Sequence, residues 1–281
     1  MRLALISDIH GNLPALEAVL AAICRHAPDQ IISLGDQVNL GPSPKEVLAL
    51  LKAESVTCLH GNHERYILSA MAGDPGYAGA NFNFLRFHAK ILTPEEITFP
   101  RELRMGHLVF THAMPGDDRF PVFHVKQCTE LLRQMDFPEP TQIFCGHGHN
   151  PRQYRVGSLT LSVVGSVGCM DDGIPGAAPY TIVDVEGDAV AAHTYFAQYD
   201  VTPIPRLYRA SGMAEAYPIM AHIACLQATT NKEILLGFAA RANALAKEKG
   251  EALVSEETWA QVDGEFSWPD GVGTKEFWKR V

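Results

Sequence analysis

Polar side chains of the kinds that bind metal ions follow several apolar, strand-like segments of this sequence. The first such segment, Leu3–Ile6, is followed by Asp8 and His10, and residues two apart lie on the same side of an extended chain. Taken alone this pair means little, because a surface acid beside a buried histidine has the same pattern. Later segments repeat the arrangement, however. The eight polar residues at the ends of these segments are Asp8, His10, Asp36, Asn62, His63, His112, His147 and His149.

These eight residues comprise two carboxylates, one carboxamide and five histidines. Imidazole and carboxylate together suit borderline divalent ions such as manganese, iron, zinc or nickel better than calcium or magnesium alone. One ion would leave most of these ligands unused, whereas two ions that share one carboxylate would use seven of the eight. We therefore expect two divalent metal ions, with manganese favoured and iron, zinc or nickel as alternatives.

Alternating strands and helices position the first of these residues. Buried strands are predicted at Leu3–Ile6, Gln30–Leu34 and Val56–His60, and prolines at Pro14 and Pro44 begin the intervening helices. This alternation implies right-handed crossovers and a parallel sheet. Functional groups gather at the carboxyl ends of the strands in such sheets, which is where the polar residues are found.

The later part of the chain supplies more strands. Leu108–Thr111 ends at His112, a helix is predicted at Lys126–Met135, and Gln142–Cys145 leads into a Gly-His-Gly-His segment. Short strands joined by turns then predict hairpins and a second, largely antiparallel sheet. Those four strands are Gln153–Val156, Ser158–Val164, Tyr180–Val185 and Ala189–Tyr195. The expected fold is a four-layer α/β/β/α sandwich with a C-terminal extension.

We predict two regions along the chain. Residues 1–224 are the main domain, in which the less regular 64–105 form a cap-like insertion over the site. Residues 225–281 form a helical and mixed appendage, which packs on the core or against another subunit; in the second case the protein is a homo-oligomer.

Composition excludes several classes of protein. The chain has 281 residues, a net charge of -9 and six cysteines without the spacing of zinc ligands. An acidic balance argues against general nucleic-acid binding, which needs a basic face. No apolar run is long enough to cross a membrane, and the N-terminus lacks the pattern of a secretory signal. We expect a reduced, cytoplasmic protein.

In order along the chain, the motifs are Asp-x-His, Gly-Asp-x-x-x-x-Gly, Gly-Asn-His-Glu, a strand-end His and Gly-His-x-His. This series resembles the calcineurin-like metallophosphoesterases. The opening Asp-Ile-His-Gly-Asn and the segment Gly165–Gly168 are similar to the compact bacterial, phosphodiesterase-like branch of that superfamily. The resemblance covers about residues 1–200; each motif alone is weak, but five in register are hard to produce by chance.

The resemblance implies a role for each of the eight residues. Asp8, His10 and His149 would bind the first ion. Asp36 would bridge the two ions, and Asn62, His112 and His147 would complete the second site. His63 would bind no metal and would instead contact the phosphate and protonate the leaving oxygen.

The implied function is hydrolysis of a small-molecule phosphoric ester by attack of a hydroxide between two metal ions, with phosphodiesters favoured. The first alternative is a phosphomonoesterase of the protein phosphatase or dinucleoside polyphosphate hydrolase type. Two rivals are a non-catalytic scaffold of the same fold and a sensor that binds one ion. The cap and the Val163–Gly173 loop are expected to set the substrate.

Two further residues are candidates for substrate binding. Asn12 follows Gly11 at the start of the first helix, where a helix cap and a phosphate contact are equally consistent with its position. Arg65 follows the Gly-Asn-His-Glu motif and could reach a phosphate, although a solvated arginine at a helix start has the same pattern.

Overall fold

Two five-stranded sheets form the centre of the molecule. The computed structural model describes residues 1–120, 122–134 and 141–281. The strand order is β10-β9-β1-β2-β3 in one sheet and β4-β5-β6-β8-β7 in the other. The strands are β1 (Arg2–Ile6), β2 (Gln30–Ser33), β3 (Thr57–Cys58), β4 (Glu102–Met105), β5 (Leu108–Thr111), β6 (Gln142–Cys145), β7 (Arg152–Val156), β8 (Leu159–Val163), β9 (Ala177–Glu186) and β10 (Ala189–Gln198).

Helices cover the outer faces of both sheets and make up the C-terminal part. They are α1 (Leu13–Cys24), α2 (Pro44–Ala53), α3 (Asn62–Met71), α4 (Asn83–Ile91), α5 (Val125–Gln134), α6 (Ile204–Ala210), α7 (Met213–Ala216), α8 (Pro218–Thr230), α9 (Leu235–Glu248), α10 (Glu256–Glu265) and α11 (Thr274–Arg280). The last residue of the helix predicted at Lys126–Met135 lies outside the described residues. Within the described part of the chain, no helix is long and apolar enough to cross a membrane.

Strand β1 shows how the four layers arise, because its side chains are buried on both faces. Ala4 and Ile6 pack in a cluster with α1, whereas Leu3 and Leu5 pack with Phe110 of β5 in the other sheet. Alternate residues of a strand point to opposite faces, so one apolar run serves both contacts. On the far side of the second sheet, residues of β5 and β6 pack against α5. The α/β/β/α sandwich is thereby confirmed.

The predicted second sheet was wrong in its membership. The two late hairpins form, but β9 and β10 join the first sheet, where β9 lies antiparallel to β1. Strands β7 and β8 join the second sheet, in which β8 is parallel to β6 and β6 is parallel to β5. Strand β9 fits beside β1 because its residues Tyr180 and Ile182 enter the α1 cluster and Val183 enters the cluster between the sheets. Hairpin turns do not specify which sheet a hairpin extends.

The C-terminal helices have a hydrophobic core of their own. It contains Phe238, Trp259 and Trp268, and it extends to Ala80 and Phe84 of the 64–105 segment. The proposed division between residues 224 and 225 falls inside α8, which continues through it from Pro218 to Thr230. We call residues 204–281 the tail; it packs on the cap of its own chain.

Candidate metal centre

The predicted ligands meet at the edge where both sheets present the ends of their parallel strands. Asp8 and His10 follow β1, Asp36 follows β2, and the ligands of the second sheet follow β5 and β6. Five of the ligands have left-handed backbone conformations, in which side chains are directed away from the strand path. Their φ angles are 51° for Asp8, 49° for His10, 55° for Asp36, 59° for His147 and 48° for His149. Non-glycine residues rarely adopt this region, and such strain is concentrated at functional sites.

Two glycines of the motifs allow the loops that carry the predicted metal ligands to come into contact. A Cβ atom at Gly41 would collide with the carbonyl oxygen of His10, and one at Gly146 would collide with the side chain of Ser7. Both collisions involve groups that are fixed within the sheet edge. The glycines are therefore required because the loops approach one another too closely for a side chain.

The first set of donor atoms belongs to Asp8, His10 and His149, which we call the His149 group. The Nε2 atoms of His10 and His149 are 3.3 Å apart, and Nε2 of His149 is 3.6 Å from Oδ1 of Asp8. The Asp8 carboxylate also accepts a hydrogen bond of 2.9 Å from the backbone N–H of His147. Asp8 and His10 are almost wholly buried.

The second set belongs to Asp36, Asn62, His112 and His147, which we call the His112 group. Nε2 of His112 lies 2.9 Å from Oδ1 of Asn62 and 3.3 Å from Oδ2 of Asp36. The rings of His112 and His147 are 5.2 Å apart between centroids. Ligand atoms of Asp36, His112 and His147 all lie within 4.8 Å of one another.

Asp36 lies between the two sets. Its carboxylate belongs to the His112 group and also to a third cluster of donor atoms, formed with His10 and His63. That third cluster joins the two groups, since His10 is a member of the His149 group. Asp36 is the carboxylate that the sequence predicts as a bridge.

Opposite charges pair within the site. Burial alone lowers the pKa of His112, but the adjacent Asp36 carboxylate raises it to about 10. Burial opposes ionisation of Asp36, yet the facing histidines, His112 first, hold its pKa well below the usual range. Burial also lowers the pKa of His149, but a hydrogen bond to Asp171 and nearby carboxylates raise it to about 9. Protons on two histidines thus supply positive charge that bound cations would replace.

Burial favours the neutral form of the other two histidines among the predicted ligands. Burial lowers the pKa of His147 to about 3, with a smaller contribution from the charge of His112. Burial and the nearby His63 place the pKa of His10 well below its ordinary value. Neutral imidazoles have a free lone pair, which is the form that binds metal.

The donor spacing is close to that around a tetrahedral divalent ion for part of the site. Ligand atoms about 2.0–2.2 Å from a tetrahedral ion are about 3.3–3.6 Å apart from each other. The spacings of 3.3 Å and 3.6 Å in the His149 group match this range. In the His149 group, Nε2 of His10 is farther from Oδ1 of Asp8, at 3.9 Å, and in the His112 group Nε2 of His112 is closer to Oδ1 of Asn62, at 2.9 Å. The donors are ring nitrogens, carboxylate oxygens and one amide oxygen, as borderline divalent ions prefer.

His63 has a partner that sequence reasoning missed. The side-chain amide nitrogen of Asn39 lies 2.6 Å from Nδ1 of His63. An amide N–H can only donate, so Nδ1 accepts and the ring carries its proton on Nε2. That Nε2 atom is 3.9 Å from Oδ2 of Asp36. Asn39 lies inside the Gly-Asp-x-x-x-x-Gly motif, which is the signal that could have identified it.

Glu64 is a second residue that sequence reasoning did not assign. Its buried carboxylate accepts backbone N–H bonds from Asp36 at 3.0 Å, Gln37 at 2.8 Å and Gly61 at 2.8 Å. These bonds tie the loop that follows β2 and carries Asp36, which we call the Asp36 loop, to the start of α3. Burial raises the pKa of Glu64 to about 8. Its position in Gly-Asn-His-Glu, three residues after the N-cap, is the sequence signal of a capping box.

Neither predicted substrate-binding residue is free to bind a phosphate in this structure. Oδ1 of Asn12 accepts from the backbone N–H of Ala15 at 3.2 Å, and Nδ2 donates to the Gly168 carbonyl at 2.8 Å and to the Tyr199 hydroxyl at 3.4 Å. These bonds use both amide hydrogens, so the structure gives Asn12 the helix-cap role instead of the phosphate contact.

Arg65 lies against an acidic partner. Its guanidinium donates two hydrogen bonds to Asp118, from Nε at 2.7 Å and from Nη2 at 2.8 Å, and it lies over the ring of Tyr66. Such a bidentate pair neutralises the charge that a phosphate would need. The predicted phosphate contact of Arg65 therefore requires that Asp118 be displaced, and no feature of the sequence pairs the two residues.

Comparison with known proteins identifies a matching family. The sequence profile described as calcineurin-like phosphoesterase matches residues 1–166. Phosphodiesterase YfcE of Escherichia coli strain K12 is 26% identical over 190 residues, which cover 62% of this chain and 95% of that protein.

Two other relatives are covered less completely. An uncharacterized protein of Methanocaldococcus jannaschii is 28% identical over 157 residues, which are 53% of this chain and 63% of that protein. Serine/threonine-protein phosphatase 1 of Salmonella typhimurium is 39% identical over 69 residues, 24% of this chain and 32% of the phosphatase. The chain thus spans less than two thirds of these two relatives.

Solved structures have the same fold. A metallophosphoesterase from Sphaerobacter thermophilus superposes with a TM-score of 0.61 and 24% identity, covering 80% of this chain and 100% of its own. A hypothetical protein from Pyrococcus horikoshii OT3 superposes with a TM-score of 0.63 and 17% identity, covering 83% and 99%. Both similarities concern the fold.

Proposed function

The chain belongs to the calcineurin-like phosphoesterases, a family of phosphoric ester hydrolases, and from this premise we propose that it is a binuclear metal-dependent phosphoesterase that favours phosphodiesters. The observation that carries the proposal is the position of Asp36, whose carboxylate belongs to the His112 group and also lies in a cluster with His10, a member of the His149 group. In the proposal, Asp8, His10 and His149 would hold one ion. Asn62, His112 and His147 would hold the other, and Asp36 would serve both sites.

Bound divalent ions, manganese by preference, would supply positive charge beside the phosphoryl oxygens and a water molecule of lowered pKa. The chain's own residues do the rest. Glu64 holds the Asp36 loop through backbone N–H bonds, so the shared carboxylate stays in place. Burial of Asp8 and Asp36 keeps bulk water from competing for their oxygens.

His63 is the proposed proton donor. Because Asn39 donates to its Nδ1 atom, the ring keeps a proton on Nε2, on the side that faces Asp36. A leaving alkoxide needs a proton as its bond to phosphorus breaks, and a positioned imidazole N–H can give one. The same orientation makes Nε2 a poor metal ligand, since its lone pair is occupied by the proton.

Preference for diesters is supported by charge. A phosphodiester carries one negative charge, whereas a monoester at neutral pH carries nearly two. The arginine nearest the motifs, Arg65, is neutralised by Asp118 and offers no further positive charge. The sequence identity with a protein named phosphodiesterase also favours diesters as substrates.

Contact of the tail with a second copy of the chain stays a prediction.

The test is hydrolysis of bis-(p-nitrophenyl) phosphate and p-nitrophenyl phosphate by metal-stripped protein with Mn²⁺ added back. We expect diester turnover that needs the metal and that falls by about 10²–10⁴-fold in His63→Ala, with two ions still bound. The matched control is His193→Ala, an exposed histidine of β10, which should turn over normally.

Other outcomes would identify the alternatives. Turnover of the monoester alone would favour the phosphatase function. One bound ion per chain would contradict the binuclear centre and favour a metal sensor. Two bound ions with no turnover of either ester would favour a non-catalytic scaffold.

A further inference from the structure

His149 is oriented by a carboxylate that belongs to neither donor group. Oδ1 of Asp171 lies 2.8 Å from Nδ1 of His149. A carboxylate only accepts, so Nδ1 carries a hydrogen, and Nε2 is the ring atom that is directed toward Asp8 and His10. Histidines that bind metal commonly donate their second ring N–H to such a carboxylate, which fixes the orientation of the ring.

Asp171 lies in a loop, residues 168–176, that we call the Asp171 loop, and the tail holds this loop through one buried side chain. Asn231 ends α8 in a left-handed conformation with φ of 49°. Its Oδ1 accepts from the backbone N–H of Met170 at 3.3 Å. Its Nδ2 donates to the carbonyls of Ile174 at 2.7 Å and Ala177 at 2.9 Å. One amide thus spans the loop from its first half to the start of β9.

Backbone contacts from the same part of the tail complete the attachment. The N–H of Gly173 donates to the carbonyl of Asn231 at 2.9 Å, and the N–H of Glu233 donates to the carbonyl of Asp171 at 2.9 Å. Residues on both sides of the Asp171 side chain are therefore tied to residues 231–233. The position of Asp171 depends on the tail as well as on the sandwich.

We propose that Asp171 is a positioning residue for the metal ligand His149, and that Asn231 of the tail holds Asp171 in place. The tail thereby contributes to metal binding in the His149 group without touching the ion. This inference rests on the proposed function only in requiring that the site bind metal. It assigns a role to a part of the chain that carries none of the predicted ligands.

The first test compares Asp171→Asn with the wild-type protein by calorimetric titration of Mn²⁺ into the metal-stripped full chain. Loss of an outer partner of a ligand typically weakens metal binding by about 10–100-fold, and we expect that change for one ion. The other ion should bind as before. The matched control is Asp172→Asn, which removes the neighbouring, exposed carboxylate of the same loop.

A spectroscopic measurement separates positioning from a general structural role. With Mn²⁺ at a concentration that fills both sites of the wild type, electron paramagnetic resonance should give the signal of a coupled ion pair. In Asp171→Asn it should give the signal of isolated Mn²⁺. A residue that only stabilises the fold would lower the melting temperature and weaken both ions alike, which would contradict the proposal.

The second test uses Asn231→Gly. Glycine keeps the left-handed backbone and the contact with Gly173, but it removes the three side-chain hydrogen bonds to the loop. We expect a weakening of the same ion, smaller than in Asp171→Asn. Unchanged affinity for both ions in Asn231→Gly would overturn the role of the tail, and unchanged affinity in Asp171→Asn would overturn the role of Asp171.

The two proposals fail in different ways. If the wild type binds two ions but hydrolyses neither ester, the proposed function fails and the effect of Asp171 on affinity can still be measured. If turnover is normal and Asp171→Asn binds both ions like the wild type, the function stands and the positioning role fails.

Discussion

The two donor groups hold their central histidines by different means. Nδ1 of His112 lies 3.0 Å from the backbone carbonyl of Leu34, at the end of β2. Nδ1 of His149 lies 2.8 Å from the carboxylate of Asp171, in a loop attached to the tail. Both partners accept the Nδ1 hydrogen, so Nε2 is the ring atom that faces the other donor atoms of each group. One group is therefore oriented by the sheets themselves and the other by a remote segment.

Because of this difference, the orientations of His112 and His149 depend on different parts of the fold. The Leu34 carbonyl cannot move unless the first sheet moves, so the His112 group is built when the sandwich folds. The Asp171 carboxylate forms a stronger, charge-assisted bond but depends on the contacts of Asn231. The carboxylate makes His149 a more basic ligand, but the position of His149 then depends on two further residues, Asp171 and Asn231.

We expect the largest change when metal binds, because bound ions increase the free energy of unfolding of the protein. All three tryptophans, Trp259, Trp268 and Trp278, lie in the tail and are buried, so intrinsic fluorescence reports on unfolding of the tail. At 100 times its dissociation constant, each ion adds about 2.7 kcal/mol to the free energy of unfolding, or about 5 kcal/mol for two. Urea titrations followed by fluorescence should show this increase when Mn²⁺ is added.

Circular dichroism provides the comparison, because it follows the whole chain. If Mn²⁺ shifts the transition seen by circular dichroism and leaves that of the tryptophans unchanged, the tail is independent of the metal centre. The proposed dependence of the His149 group on the tail would then be wrong. Equal shifts by both methods would show that tail and centre unfold together.

The next effect concerns Asp36, the proposed bridge between the two groups. Asp36→Asn removes the charge that faces His112 and lies beside His63, so we expect turnover to fall on the order of 10³-fold, equivalent to about 4 kcal/mol. Metal analysis should find at most one ion. His112→Gln and His149→Gln each change only one site, so each variant should still bind one ion. Two ions in Asp36→Asn would contradict the bridging position.

The smallest effect is a pH dependence that arises from one buried histidine of the cap. His88 of α4 is fully buried, and burial lowers its pKa to about 4 from an ordinary 6.5. Above pH 6.5 neither state binds a proton there, and between 6.5 and 4 only the unfolded state does. Stability is therefore lost as the pH falls through this window, by about 3 kcal/mol in total.

The measurement is the free energy of unfolding at pH 7 and pH 5, with tail fluorescence as the signal, for wild type and His88→Gln. Glutamine does not titrate, so the difference between the two proteins isolates His88 from the histidines of the metal centre. A pH dependence of equal slope in both would exclude His88 as its source.

Sequence reasoning located the eight strand-end residues because each follows an apolar strand and most lie beside glycines, which are local signals. It could not assign the late hairpins to sheets, since β7–β8 and β9–β10 have similar local patterns and their placement depends on packing with β6 and β1. It also predicted Arg65 as a phosphate contact, because nothing local indicates that Asp118 neutralises it.

Asp171 and Asn231 were missed for the same reason. They lie 60 positions apart in the sequence, and no period, motif or spacing links them. Their relation appears only when α8 ends against the loop before β9. Local patterns thus predict groups suited to chemistry, whereas the groups proposed to hold them in place become visible only through long-range contacts.

The attachment of the loop at Asn231 also has a consequence for biosynthesis. Residue 231 is made 82 positions after His149, which at 5–20 residues per second is a delay of roughly 4–16 s on the ribosome. During that interval all seven proposed ligands have been translated, but the contacts that hold Asp171 have not formed. If Asp171 has the proposed positioning role, the His112 group of the nascent chain can therefore bind an ion before the His149 group can. The order in which the two sites bind metal then follows the order of synthesis.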